Sequence, residues 1–124
     1  MDITSQITFL DFTDMPAARA FLGEQLGLEL VYDPGWACVY RTAGQAFLGA
    51  VEVQQPRHPE GALVSLTVPD VQAVYHRLLP LGLEGMTPIK QVRNIGLTSF
   101  FLLGPEGYRF EIQHFDDPAL QKLF

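Results

Sequence analysis

The sequence contains two copies of one pattern, and this repeat limits the folds that the chain can adopt. In the first half, an apolar run leads to Asp14, a helix-like stretch and Leu-Gly-Leu-Glu at 26–29. In the second half, an apolar run leads to Asp70, another helix-like stretch and Leu-Gly-Leu-Glu at 81–84. The copies are offset by 56 residues at the aspartates and by 55 at the tetrapeptides. Two copies are too few for a solenoid, so we expect one small domain built from two similar units.

Each copy predicts a strand, a helix and three further strands. Residues 5–13 alternate as a strand with two different faces, one of them formed by Thr8, Leu10 and Phe12 and the other by Ile7, Phe9 and Asp11. Asp14 and Asp70 have the position and chemistry of helix N-caps, and Gly27 and Gly82 are typical helix stops. The later strands are expected at 28–33, 36–41 and 45–53 in the first unit, and at 83–89, 97–103 and 108–114 in the second.

This order of elements predicts an α+β fold with two βαβββ units in a single domain spanning residues 1–124. The first unit covers about residues 5–53, a linker with two prolines covers 54–61, and the second unit covers about 62–114. Residues 90–96 are expected to form a mobile loop, and the tetrapeptide at 104–107 is expected to form a tight hairpin.

Composition excludes several functional classes. The formal net charge of −6 disfavours nucleic-acid binding, which needs clustered basic side chains. No apolar run approaches the ~20 residues of a membrane span, and the first residues lack the pattern of a signal peptide. A lone cysteine, Cys38, cannot form an internal disulfide, and we expect it to be a small buried side chain. These features predict a cytoplasmic protein without a nucleic-acid or membrane partner.

Several motifs in a fixed order resemble the vicinal oxygen chelate superfamily, which includes glyoxalase I, extradiol dioxygenases and bleomycin-resistance proteins. The motifs are Asp14 at the first helix, Phe21 and Leu26-Gly27-Leu28 at its end, Val68-Pro69-Asp70, and the run from Gly104 to Glu111. The similarity covers about residues 5–115. It implies a curled mixed sheet with helices on the convex face and a ligand pocket on the concave face, and it implies a homodimer.

The resemblance also indicates where the metal enzymes of this superfamily hold their ion. Transferred to this sequence, the four ligand positions are Ile7, Gly49, Leu63 and Glu111. Only Glu111 carries a donor for a divalent cation, which needs several nitrogen, oxygen or sulfur ligands. The histidines, His58, His76 and His114, are expected to be surface residues. The sequence therefore predicts no metal and no cofactor, as in the bleomycin-resistance-like members.

Strand alternation selects the side chains that would line the pocket. They mix aromatic and polar groups, as small-molecule sites do. The predicted ligand-binding residues are Phe9, Asp11, Trp36, Tyr40, Ser65, Thr67, Phe101, Glu111 and Gln113. Alternation groups Trp36 with Cys38 and Tyr40, but it leaves open which face of the sheet these three take.

Two functional hypotheses follow from these residues. In the first, the chain is a metal-free binding protein that holds a small, flat compound by stacking, as an antibiotic-resistance protein holds its drug. A cationic compound would also be attracted to the aromatic rings. In the alternative, it is a lyase, isomerase or dioxygenase that uses Glu111 with Asp11, or an unrecognised metal site. Glu111 is the one candidate catalytic residue. A third use, as a sensor domain, has no residue that supports it.

Overall fold

A computed structural model describes residues 1–55, 59–92 and 95–124 of the chain. It divides into two units, Met1–Pro59 and Glu60–Phe124. Part of the predicted linker at 54–61, including His58, and two positions of the predicted loop at 90–96 lie outside the described residues. Each unit has its own four-stranded mixed sheet with helices, which confirms the α+β class, whereas the single-domain arrangement stays a prediction.

The first unit follows the predicted order of elements. Its elements are β1 (Gln6–Phe12), α1 (Met15–Arg19) continuing as a π-helical segment (Ala20–Gln25), β2 (Glu29–Tyr32), β3 (Ala37–Ala43) and β4 (Ala46–Glu52). The strands lie in the order β1-β4-β3-β2, with β1 and β4 parallel and the other pairs antiparallel. The edges of this sheet are therefore β1 and β2.

Local chemistry fixes the ends of the first helix. The Ala17 amide donates a hydrogen bond of 3.0 Å to Oδ1 of Asp14, which confirms the predicted N-cap. Pro16 occupies the first turn, where a missing N–H costs nothing. Gly27 adopts a φ of +73°, a left-handed conformation that ends the helix without the strain a side chain would bring.

The second unit repeats this plan with β5 (Leu63–Thr67), α2 (Val71–Leu78), β6 (Lys90–Val92), β7 (Leu97–Leu103) and β8 (Arg109–Phe115). Its strands lie in the order β5-β8-β7-β6, and β5 pairs with β8 in parallel. The Ala73 amide donates a hydrogen bond of 3.0 Å to Asp70, so the second N-cap is also confirmed. The 104–107 turn closes the hairpin, because the Gly104 amide donates to the Tyr108 carbonyl at 2.8 Å.

The predicted strand at 83–89 is wrong, since the strand that pairs with β7 on this side is Lys90–Val92. Gly85 has a φ of +65°, which breaks an extended run. The 83–89 segment is joined to β7 by isolated hydrogen bonds, from the Leu103 amide to the Glu84 carbonyl and from the Thr87 amide to the Phe101 carbonyl. The loop prediction for 90–96 is therefore wrong at 90–92. A final helix that the sequence analysis did not predict, α3 (Pro118–Leu123), begins at an Asp117 cap.

Each unit buries an apolar core between its sheet and its helix. In the first unit this core is formed by Leu10, Phe12, Ala18, Phe21, Leu22, Cys38, Tyr40, Leu48 and Ala50. In the second it is formed by Val71, Leu78, Phe100, Leu102, Phe110 and Ile112. The Tyr75 ring on α2 meets Phe100 edge to face with ring centroids 5.1 Å apart. The opposite face of each sheet is thereby available to carry a site.

None of the helices formed by residues 1–55, 59–92 and 95–124 combines the length and apolar character of a membrane span.

Candidate functional site

The sheet of the first unit presents one face that its helix does not cover. Paired residues of neighbouring strands point to the same side of a sheet. Phe9 on β1 pairs with Gly49 on β4, and Gly49 pairs with Val39 on β3. This register places Phe9, Gly49 and Val39 together on the uncovered face, which is the face predicted for Phe9.

The ring of Phe9 lies over the backbone of Gly49. A Cβ atom added to Gly49 would overlap Cδ1 and Cε1 of that ring and would lie 3.2 Å from its Cγ. Phe9 therefore occupies the space that a side chain at position 49 would need. The ring is 50% exposed, so its other face is open to a ligand or to solvent.

An open cleft of about 300 Å³ lies on this face. We call it the aromatic cleft; it is lined by Ile7, Phe9, Tyr32, Pro34, Trp36, Ala37, Val39 and Val51. Every lining side chain is aliphatic or aromatic, and Trp36 is 64% exposed. Exposed aromatic rings around a concave apolar surface are the usual features of a small-molecule site. Of the predicted ligand-binding residues, the cleft contains Phe9 and Trp36.

Asp11 stands beside this cleft, on the same face of β1 as Phe9. It pairs with Val51, one of the lining residues. Residues of one strand that share a face are separated by about 7 Å. Asp11 thus lies near one end of the cleft.

The prediction that Tyr40 lines the pocket is wrong. Tyr40 pairs with Leu48, and both are buried on the helix-covered face together with Cys38. Its ring packs on α1's π-helical extension, where a Cβ on Gly23 would lie 3.2 Å from Tyr40 Cε1. Burial raises the pKa of Tyr40 to about 12, because the phenolate would lose its hydration there. Trp36 is not buried on that face, because it precedes β3, which begins at Ala37.

Two ion pairs flank the aromatic cleft in the first unit. Both terminal nitrogens of Arg19 contact the Asp33 carboxylate, and Nη2 also donates to the Gly35 carbonyl at 3.1 Å. This bidentate contact lowers the pKa of Asp33 and raises that of Arg19. Arg41 pairs with Glu29 at 3.3 Å. The arginines therefore serve to fix loops and strands of the unit.

Arg41 has a second partner on the uncovered face. Its Cζ lies 4.9 Å from the ring centroid of Phe47, the residue that pairs with it on β4. This cation–π contact holds the guanidinium at the end of the sheet opposite Asp11.

In the second unit, the position that corresponds to Gly49 holds a buried carboxylate. Glu111 on β8 pairs with Ser65 on β5, as Gly49 pairs with Phe9 in the first unit. The Ser65 hydroxyl donates to Glu111 Oε1 at 2.7 Å, and the Ser99 hydroxyl donates to Oε2 at 3.1 Å. Glu111 is only 6% exposed and Ser99 only 2%. Each carboxylate oxygen thus has a hydroxyl donor, which compensates for burial of the charge.

The remaining predicted residues form a row beside this carboxylate. Gln113 Nε2 donates to the Thr67 hydroxyl at 2.9 Å across the same strand pair. Phe101 pairs with Glu111 and so shares its face, and the Arg109 guanidinium carbon lies 5.7 Å from the Phe101 ring centroid. The predicted polar residues of this unit are therefore brought together, but they bond mainly to one another.

Sequence reasoning missed some members of both groups. Ser99 was not named because it lies inside the apolar run of β7, where nothing marks it as the second donor to Glu111. Tyr32 and Pro34 reach the aromatic cleft from the end of β2 and the turn that follows. The Asp-Pro-Gly turn at 33–35 next to Trp36 was the signal that could have identified them.

Comparison with solved structures identifies the fold. A glyoxalase family protein from Bacillus anthracis superposes with a TM-score of 0.78 at 19% identity, covering 94% of this chain and 98% of that one. A lactoylglutathione lyase from Agrobacterium tumefaciens gives 0.72 at 24%, covering 92% and 95%. A glyoxalase/bleomycin resistance protein/dioxygenase from Nocardioides gives 0.74 at 18%, covering 95% and 87%.

The chain therefore has the vicinal oxygen chelate fold, which confirms the fold indicated by the sequence motifs. No protein-family model and no curated protein sequence matches it. At these levels of identity the likeness establishes the fold, and function has to be argued from the site.

In each unit, the two positions at which the resemblance would place metal ligands do not fit a metal ion. Ile7 and Leu63 offer only hydrocarbon, and the space above Gly49 is filled by the Phe9 ring. Glu111 is bonded to two serine hydroxyls. Among the residues that the structure describes, no three His, Cys, Asp or Glu side chains are grouped to hold a metal.

Proposed function

We propose that this chain is a binding protein for a small, flat, mainly apolar compound, which it holds in the aromatic cleft of the first unit. The observation that carries the proposal is the exposed Trp36 and Phe9 rings, on the walls of a cleft of about 300 Å³ lined by apolar side chains. Leaving such rings exposed has a cost in water, and a bound aromatic molecule would remove it. Binding needs no metal and no reactive group in the cleft.

The expected affinity follows from the size of the cleft. A volume of about 300 Å³ suits a ligand of roughly 15 to 20 non-hydrogen atoms. At about 0.3 kcal/mol per atom, such a ligand gains ~4.5–6 kcal/mol, which corresponds to a Kd on the order of 100 μM. Good stacking on the rings would strengthen this by about 0.5–1.5 kcal/mol for each aromatic contact.

The test is calorimetric titration with a panel of planar aromatic compounds, cationic antibiotics included. Trp36→Ala should weaken the best hit at least tenfold. A matched control is Phe124→Ala, which removes another exposed ring, 69% exposed against 64% for Trp36, from the second unit. Equal affinities for Trp36→Ala and the unchanged chain would contradict the assignment of the site.

The enzymatic alternative depends on Glu111 and Asp11. One protein of similar fold is described as a lactoylglutathione lyase, and Glu111 is a buried carboxylate with ordered donors. Depletion of a thioester or catechol substrate by the purified protein, abolished in Glu111→Gln but not in Trp36→Ala, would favour an enzyme over a binding protein.

The proposal also covers the localisation, the oligomeric state and the biological role of the protein. We place it in the cytoplasm as a homodimer, with a role in antibiotic resistance if the ligand is a planar drug. Light scattering of the purified chain should then give the mass of two copies, and expression should raise the tolerated concentration of the drug that binds. A monomer, or unchanged tolerance, would remove these parts of the proposal and leave the binding site unaffected.

A further inference from the structure

The surface that lines the aromatic cleft is apolar and carries no positive charge. The polar atoms of its eight side chains, the Trp36 indole nitrogen and the Tyr32 hydroxyl, do not contribute to that surface. An anion that entered would lose much of its hydration and would meet no positive charge among the eight lining side chains.

The basic side chains of residues 1–55 are Arg19 and Arg41, and both are already paired. The terminal nitrogens of Arg19 donate hydrogen bonds to the Asp33 carboxylate and to the Gly35 carbonyl. Arg41 is held by Glu29, by the Gly44 carbonyl and by the Phe47 ring. Moving either guanidinium to a ligand would break at least one charged contact, so neither offers a ready partner for an anion.

The surrounding charge has the same effect at longer range. Residues 1–55 contain seven acidic and two basic side chains, a formal charge of −5. A negative field of this kind lowers the local concentration of anions and raises that of cations.

Taking the proposed function as its basis, we infer that the aromatic cleft selects against anionic ligands, so that its ligand is an uncharged or cationic aromatic molecule. This selection by charge separates the chain from carriers of carboxylated or sulfonated compounds. It arises from three observations together: an uncharged lining, the engagement of both arginines of residues 1–55 with other partners, and the acidic charge of the same residues.

The test uses two fluorescent probes with the same rings. N-phenyl-1-naphthylamine is uncharged, and 8-anilino-1-naphthalenesulfonate carries an additional sulfonate. We expect the uncharged probe to bind at least tenfold more tightly at low ionic strength, equivalent to about 1.4 kcal/mol. Trp36→Ala should weaken binding of the uncharged probe, which locates it in the cleft.

Ile7→Lys should reduce the difference between the two probes to threefold or less, because it places a cation on the exposed edge strand that lines the cleft. Ile7→Gln measures how far the loss of the apolar side chain, without added charge, weakens binding of each probe. The control is Thr8→Lys, which adds the same charge at the exposed neighbour on the opposite face and should retain the tenfold difference.

Equal or tighter binding of the sulfonate by the unchanged chain would overturn the inference while leaving a binding function in place. A tenfold difference that persists in Ile7→Lys would overturn it as well, since size rather than charge would then exclude the sulfonate. Failure of both probes to bind would overturn the proposed function and this inference with it.

Discussion

Gly49→Ala tests the packing of Phe9 on Gly49 directly. The added methyl group would overlap Cδ1 and Cε1 of the Phe9 ring, so the ring has to move. Phe9 is 50% exposed, and about 100 Å² of its surface is therefore covered. At about 25 cal/mol per Å², complete loss of this coverage would cost roughly 2.5 kcal/mol. Because the displaced ring regains some contacts, we expect a loss of about 1–2 kcal/mol in the free energy of unfolding.

A double-mutant cycle with Phe9→Ala isolates this clash from the general effect of replacing glycine. In a strand, alanine is better than glycine by about 0.5–1 kcal/mol, because the unfolded chain has less freedom to lose. Without the Phe9 ring, Gly49→Ala should therefore be neutral or stabilising. The coupling energy between the two positions should be on the order of 2 kcal/mol.

The assay is urea denaturation of the four proteins, followed by far-ultraviolet circular dichroism under the same conditions. Linear extrapolation gives the free energy of unfolding for each. If Gly49→Ala has the same effect with and without the Phe9 ring, the two residues are not in contact and the packing described for Phe9 on Gly49 is wrong.

The other predictions concern the two units separately. Ser99→Ala should destabilise the chain by about 1–3 kcal/mol in urea denaturation, because it deprives the buried Glu111 carboxylate of one donor, whereas a change below 0.5 kcal/mol would refute that role. Tyr40 should titrate near pH 12 in its ultraviolet absorbance. Because its folded pKa is raised, its contribution to stability is complete below pH ~10 and is lost as the pH rises from there toward 12. Tyr40→Phe should abolish this alkaline loss of stability. Arg19 lowers the pKa of Asp33, so the contribution of this pair is present above the unfolded pKa of ~3.9 and is lost as the pH falls below it. The difference in unfolding free energy between Asp33→Asn and the unchanged chain should therefore shrink as the pH falls below ~3.9.

The elements that local chemistry determines could be predicted from the sequence. Asp14 and Asp70 cap their helices because a carboxylate accepts the free amides of the first turn whatever the rest of the chain does. The two faces of β1 followed from simple alternation, which requires only that the strand be regular. These local rules located Phe9 on the uncovered face.

Features that depend on distant partners could not be predicted in this way. Tyr40 lies under the helix because the register of β3 against β4 puts it beside Leu48, and Trp36 escapes this alternation by preceding the strand. Ser99 becomes a donor to Glu111 only through pairing of β7 with β8. The segment at 83–89 reads as a strand, but the left-handed Gly85 diverts it.

The contrast between Phe9 over Gly49 and Ser65 beside Glu111 bears on how the two halves of this chain can change. A carboxylate side chain at position 49 would have to displace the phenyl ring, and removing that ring uncovers bare backbone and weakens the cleft. A stepwise change toward a second carboxylate therefore begins with the loss of an aromatic wall. Each half is in this sense committed to its own chemistry.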